Sequence, residues 1–223
     1  MKTFSWSDKP STTAFPIERA GYPIIFAAAL TTFVLALLSI TWAAIAALVI
    51  TFFICFFFRD PDRVIPDGEN LVVSPADGKI ISIIPDTENP HAKGRWTKIS
   101  IFMSVFNVHV NRVPLSGKIT KISYFPGKFF SANLDKASKE NEHNALLLKS
   151  DQDQMICFVQ IAGLIARRII CKVQEGDEVK KGQRFGMICF GSRLDVYLPV
   201  STSLKVSKGD KVSAGVSALG ELI

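Results

Sequence analysis

The sequence is short of the residues that metal and redox chemistry draws on. It holds three histidines and four cysteines in 223 residues. Cys55, Cys157, Cys171 and Cys189 stand far apart, in apolar strand-like or membrane-like surroundings, without metal-ligand spacing. They read as small buried hydrophobes of a reducing compartment, and no metal site is expected. Basic runs with interleaved aromatics are missing too, which argues against nucleic acid as the partner of a chain with net charge +6. The longest absence is of charge itself: no Asp, Glu, Lys or Arg occurs from Tyr22 to Phe58.

That uncharged run of 37 residues is too long for the apolar core of a secretory signal. One helix crosses a bilayer with about 20 residues, so the run is long for one untilted span and slightly short for two. Ser39-Ile40-Thr41 divides it into two short spans or a re-entrant hairpin. Arg19 precedes the run, and Arg59 and Arg63 follow it. Basic flanks at both ends place both in the cytoplasm, which a hairpin satisfies and a single span does not. A buried helical pair of a soluble protein is the alternative. The expected organisation is a cytoplasmic segment 1–21, a membrane hairpin or two short transmembrane helices over 22–58, and a soluble domain over 59–223. The last carries +5 of the net charge, which suits a surface of anionic lipid.

Helical periodicity is weak beyond Arg59-Asp60-Pro61-Asp62-Arg63. Short β-like runs follow one another between Gly, Pro, Asn and Asp, at 71–73, 79–84, 97–102, 107–113, 117–124, 144–149, 155–162, 169–173, 185–190, 195–199 and 211–213. The fold class is mainly β, a β-rich sandwich or barrel, preceded by the α-helical membrane hairpin. Val-x-x-Gly-Asp-x-Val-x-x-Gly occurs twice, at 173–182 and 206–215. The pattern resembles the half-repeats of lipoyl-like barrels, where Gly-Asp marks a tight turn. It lacks the Met-Lys-Met or Asp-Lys-Ala hairpin that would carry biotin or lipoate, so it is read as scaffold.

Few residues remain to carry chemistry. Gly191-Ser192 lies between an apolar run and a second run in which Leu194, Val196 and Leu198 alternate with Asp195 and Tyr197, which puts the hydroxyl at a joint between strands. Taken locally this is an ordinary turn as readily as a reactive site. In Asn107-Val108-His109-Val110-Asn111 a period of two puts Asn107, His109 and Asn111 on one face, and His109 is either a satisfied core histidine or a catalytic one. Asp77, before Gly78, suits a β-turn as well as a site. His91 falls in a turn and is expected to be solvated, and His143 falls in a polar loop.

Several stretches together resemble one family, the pyruvoyl-dependent phosphatidylserine decarboxylases, in their short membrane-associated branch. They are Phe57-Phe58-Arg59-Asp60-Pro61, Ser74-Pro75-Ala76-Asp77-Gly78, Met103-Ser104 with Asn107-Val108-His109-Val110-Asn111-Arg112, Pro126-Gly127-Lys128-Phe129, Asn141-Glu142-His143-Asn144 and Phe190-Gly191-Ser192, in order along the chain. The resemblance implies a proenzyme that cuts itself between Gly191 and Ser192. The products would be a β chain 1–191 and an α chain 192–223, which stay associated, and Ser192 would become a pyruvoyl cofactor without any metal. It implies that Ser192, His109 and Asp77 are catalytic, with Asp77 orienting His109 as the base. The substrate would be phosphatidylserine in an anionic membrane, met on the cytoplasmic face of the inner membrane, and there is room for a homodimer. Asn107, Asn111, Arg112, Lys128 and His143 are the candidate substrate contacts. Arg112 stands where the larger branch has a second histidine, and His143 where an arginine is expected. The alternative from another class is a non-enzymatic membrane adaptor with a lipoyl-like barrel.

Overall fold

The computed structural model describes residues 15–131, 140–164, 168–189 and 192–223. The chain divides after Asp62 into two compact units. In the first, a 3-10 turn at Arg19–Gly21 leads into helix α1 (Tyr22–Leu37), with Pro23 in its first turn, and α2 (Thr41–Phe57) follows. Ser39, in the break between them, takes a φ of 56°. No residue of α1 is buried, and only Phe57 of α2 is. A helix apolar on every face suits apolar surroundings, where its polar groups must be met internally. That condition is visible in the threonines. Thr31, Thr32 and Thr51 donate to the carbonyls four residues back, and the Thr32 and Thr51 hydroxyls meet at 3.1 Å across the pair. By length and composition the helix Arg19–Leu37 can cross a membrane, whereas Thr41–Phe57 is shorter. The ends of the pair are tied together: Ile17 bridges Arg59, and Asp60 N–H donates to Pro16 O at 2.8 Å.

The second unit is built of short strands. In chain order they are β1 (Leu71–Val73), β2 (Gly78–Asn89), β3 (Ala92–Met103), β4 (Val110–Arg112), β5 (Gly117–Phe125), β6 (His143–Ser150) and β7 (Met155–Ala162). There follow β8 (Ile169–Cys171), β9 (Glu178–Val179), β10 (Arg184–Ile188), β11 (Ser192–Pro199), β12 (Ser203–Leu204), β13 (Lys211–Val212) and β14 (Ala218–Glu221). An eight-stranded antiparallel sheet runs β13-β2-β3-β11-β7-β6-β5-β9, and two three-stranded sheets run β1-β14-β12 and β4-β10-β8. The mainly β fold with an apolar helix pair before it is as the sequence predicts. Leu194, Val196 and Leu198 of β11 enter the main core with Ile99, Ile101, Leu146, Phe158 and Phe185. On the other face Tyr197 packs with Trp96, Cys157, Val159 and Ile161. Burial pushes the Cys157 thiol up to about 12. Cys55 and Cys171 are only half-buried, less enclosed than expected.

The Val-Gly-Asp repeats belong to a larger duplication. Pro75-Ala76-Asp77-Gly78-Lys79-Ile80 and Pro114-Leu115-Ser116-Gly117-Lys118-Ile119 share Pro-x-x-Gly-Lys-Ile, and each opens a long strand. Each receives one repeat in the same way. Gly209 N–H donates to Ile80 O and Ile80 N–H to Asp210 O, at 2.8 and 2.9 Å; Gly176 and Ile119 do likewise, at 2.7 and 2.9 Å with Asp177 O. β13 then pairs β2, and β9 pairs β5. Gly176 and Gly209 have φ of 92° and 103°, which only glycine adopts without strain. Each clasp is closed by a side chain: Asp77 Oδ1 accepts Ala214 N–H at 2.7 Å, and Ser116 Oγ accepts Lys181 N–H at 3.0 Å.

Candidate active site

The chain leaves β10 in a three-stranded sheet and re-enters as β11, flanked on both sides in the eight-stranded sheet. Three residues, 189–191, connect them in sequence, and Phe190 and Gly191 lie outside the described residues. Ser192 is the first residue of β11, paired with Met103 on β3 and Ala162 on β7, and it is fully buried. Its Oγ donates to Met103 Sδ at 3.3 Å. A thioether is a weak acceptor, so this proton is loosely held.

His109 is also fully buried, and its main-chain oxygen accepts Ile188 N–H at 3.4 Å, beside the end of β10. Its Nδ1 lies 3.0 Å from Asn107 O. A carbonyl only accepts, so Nδ1 carries a hydrogen, which in a neutral ring puts the lone pair on Nε2. That is the tautomer of a base. The orienting group differs from the expected one: Asp77 Oδ1 accepts Ala214 N–H and its Oδ2 accepts from Arg63 at 2.9 Å. The described hydrogen bonds therefore do not join Asp77 to His109.

The predicted stripe along 107–113 is shorter than expected. β4 covers only Val110–Arg112, because Asn107 Oδ1 accepts from Ser104 N–H and Oγ–H at 2.9 and 2.8 Å and caps a turn. Asn111 keeps its place in the strand and points into the site. Its Nδ2 lies 3.8 Å from Met103 Sδ, and its Oδ1 accepts Gln160 Nε2–H at 2.9 Å. Ser192 and Asn111 thus converge on one sulfur atom.

The remaining candidates are spread more widely. Arg112 is buried and donates to Gly182 O at 2.9 Å. Lys128 is exposed, 3.4 Å from Glu140. His143 opens β6 rather than lying in a loop, and it is buried. Its ring stacks on Phe125 at 4.7 Å and lies 5.4 Å from His91. His91 sits in the β2–β3 turn as predicted, but it is half-buried rather than solvated. Burial, then the neighbouring His143, Lys121 and Lys98, bring its pKa down to about 4.

Two groups of residues were not foreseen. Asp195 accepts from Arg193 Nε at 2.6 Å and pairs with Lys98 Nζ at 3.0 Å, all on the face of β11 opposite the main core. Their spacing of two from Arg193 to Asp195 was the available signal. Gln160 is the second, a lone polar residue in the apolar run Met155–Ala162. A cleft of about 850 Å³ opens elsewhere, lined by Gly117, Ser150 and Glu178. Those residues end the strands opposite to Ser192, about 25 Å away along eight residues of β6, and the cleft mixes Lys with Asp and Glu.

Comparison with known proteins shows what the chain is similar to. The phosphatidylserine decarboxylase family profile matches residues 50–220. A protein of Syntrophus aciditrophicus is 56% identical over 92% of this chain and 96% of its own length. One of Geotalea uraniireducens is 51% identical over 93% and 97%, and one of Rickettsia felis 49% identical over 92% and 90%. All three are named phosphatidylserine decarboxylase proenzyme. The membrane-adaptor alternative finds no support among them. With a family profile over most of its length and relatives this similar from end to end, the chain belongs to the phosphatidylserine decarboxylase family.

Proposed function

We propose that this protein is a self-processing decarboxylase that converts phosphatidylserine to phosphatidylethanolamine and carbon dioxide. The observation that carries the reading is a buried serine with a weakly bonded hydroxyl, following a glycine in sequence, where the chain passes from one sheet to another. Ser192 Oγ attacks the Gly191 carbonyl, its proton going to the base, and the peptide becomes an ester with the amine of residue 192 released. Loss of the α proton then expels the Gly191 carboxylate, and water with loss of ammonia leaves a pyruvoyl group at the head of residues 192–223. His109, held by Asn107 O, is the proposed base, and Asp77 supports the site through the clasp that it closes and its ion pair with Arg63.

The surroundings of Ser192 suit such a group. They are buried, with an amide donor on Asn111 directed toward the same sulfur as the hydroxyl. When present, the group supplies the electron sink for the pair left as carbon dioxide departs. This chain's residues do the rest. The buried walls exclude water, and His109 returns a proton at working pH. Lys128, as an exposed cation, is the proposed contact for the lipid phosphate. The two pieces stay together because β11 is paired along both edges and β13 and β14 pair with strands of the longer piece.

The apolar pair, tied at its ends, is proposed to dip into the inner membrane from the cytoplasmic side. Intact mass of the purified protein tests the main reading. Two pieces divided at 191/192, the smaller resistant to amino-terminal sequencing, are expected, and active folded material of one full-length chain would refute it. Ser192→Ala should stay whole. Labelling at Lys9 and at Lys79 from the outer side should fail at both positions, and success at Lys9 would overturn the hairpin.

A further inference from the structure

Beside Ser192 three buried side-chain amides stand in a line. Asn144 Nδ2 donates to Gln160 Oε1 at 3.3 Å, and Gln160 Nε2 donates to Asn111 Oδ1 at 2.9 Å. Asn111 Nδ2 ends the line on Met103 Sδ at 3.8 Å, the sulfur that also takes the Ser192 hydroxyl. Asn111 and Gln160 are fully buried and Asn144 nearly so. The line crosses from the eight-stranded sheet, which holds Asn144 and Gln160, to the three-stranded sheet, which holds Asn111.

Its direction is fixed by one further contact. Gln160 Nε2 also faces the Ile170 carbonyl at 3.4 Å, and a carbonyl cannot donate, so the NH2 end of Gln160 must point this way. Asn111 must then offer its oxygen to Gln160 and turn its own NH2 toward Met103 Sδ, the sulfur that the serine hydroxyl also meets. Gly186 makes the room: a Cβ there would lie 3.0 Å from Gln160 Nε2 and 2.2 Å from Ile170 O. Amides aligned head to tail polarise one another, and the last N–H becomes the stronger donor. Among the described residues that donor meets only a thioether, which leaves it ready for a better acceptor.

We infer that Gln160, backed by Asn144, is a positioning residue that locks the Asn111 amide with its N–H toward residue 192, where it stabilises the oxygen that gains charge as the precursor cuts itself. This rests on the proposed cleavage at Ser192. Such preorganised donors are effective because they need no reorientation when the charge develops. Gln160→Glu removes the donor at unchanged shape. The Asn111 amide then turns its NH2 to the new carboxylate and presents its oxygen to the serine.

The test follows cutting of full-length precursor made with phospholipid vesicles in a cell-free system, then shifted to a set pH. At pH 8 Gln160→Glu should cut at least tenfold more slowly than the parent. The ratio of variant to parent rate should rise at least threefold by pH 5.5, because the new carboxyl, once protonated, can again donate to Asn111 Oδ1. A simple packing defect would leave that ratio flat. Parent-like cutting at pH 8, or a flat ratio, overturns the inference. Should Gln160→Glu give no folded precursor, Asn144→Ala decides, since it leaves Gln160 and both its bonds to the other sheet: cutting at least threefold slower supports the relay, and parent-like cutting overturns it. Ser192→Ala, run alongside, separates the two readings. If that variant still cuts, the cleavage reading fails, whereas an uncut Ser192→Ala beside a normally cut Gln160→Glu sinks the relay alone.

Discussion

Asp195→Asn would remove one negative charge from between two cations, at nearly constant shape. Asp195 is 1% exposed and Arg193 2%, and the carboxylate takes Arg193 Nε at 2.6 Å and Lys98 Nζ at 3.0 Å. Taking one partner from a buried ion pair costs about 3–5 kcal/mol. The lower end applies here, because Arg193 keeps Ser100 Oγ at 2.7 Å and the Lys98 side chain reaches some solvent. A loss of about 3 kcal/mol is a large part of the roughly 5–15 kcal/mol that holds a domain together. With a guanidinium slope of about 4 kcal/mol/M, the midpoint should fall by about 0.7 M. Pulse proteolysis of the uncut Ser192→Ala chain, with and without Asp195→Asn, across a guanidinium series, with the surviving band read on a gel, measures it. Arg193→Met with Asp195→Leu should recover much of the loss, since an apolar pair needs no desolvated charge. A fall below about 1 kcal/mol in the single variant would mean that these charges are solvated or satisfied elsewhere, and the buried pair would lose its place as an anchor for β11.

Gly186→Ala sets a Cβ 2.2 Å from the Ile170 carbonyl, so β10 and β8 must part; yield of folded protein should drop sharply, and a soluble, normally cut variant would contradict the packing. The His91 ring titrates near pH 4 in the folded chain against about 6.5 when unfolded. Its neutral form is no burden above pH 6.5, and stability falls as the unfolded state takes up the proton between pH 6.5 and 4. After allowance for partial exposure the loss is about 1–2 kcal/mol, and His91→Gln should flatten a denaturation series over that range; parallel curves would refute it. Asp77→Ala should lose about 1–2 kcal/mol with its bond to Ala214 N–H, and Asp77→Ser should recover most of this, since Ser116 closes the matching clasp with a hydroxyl. Equal losses in chemical denaturation would show that the clasp is not what Asp77 contributes to stability.

Where a strand is a bounded apolar run, the sequence showed it: β7 spans Met155–Ala162, the run expected at 155–162. β9 and β12 are two residues each, too short for a period, and β14 includes Gly220 and has no alternation; β13, equally short, falls within the run expected at 211–213. The expected strand at 107–113 began too early because a side chain, Asn107, satisfied the backbone locally. The site was legible in part. Ser192 and Asn111 meet at Met103, and the sequence signal for them was a polar residue at a joint or within an apolar run. The expected link from Asp77 to His109 depended on which of several neighbours reaches a carboxylate first, and Ala214 and Arg63 do. His143 looked like a loop residue because its packing partners, Phe125 and His91, come from distant parts of the chain.

The duplicated clasp has a consequence for a chain cut before Ser192. The turn at 173–182 stays on the same piece as the strand that it grips, whereas the turn at 206–215 leaves with the short piece and grips β2 of the other. One copy of the duplication remains an internal staple, and its twin becomes a plug between two separate polypeptides, with Asp77 as the catch.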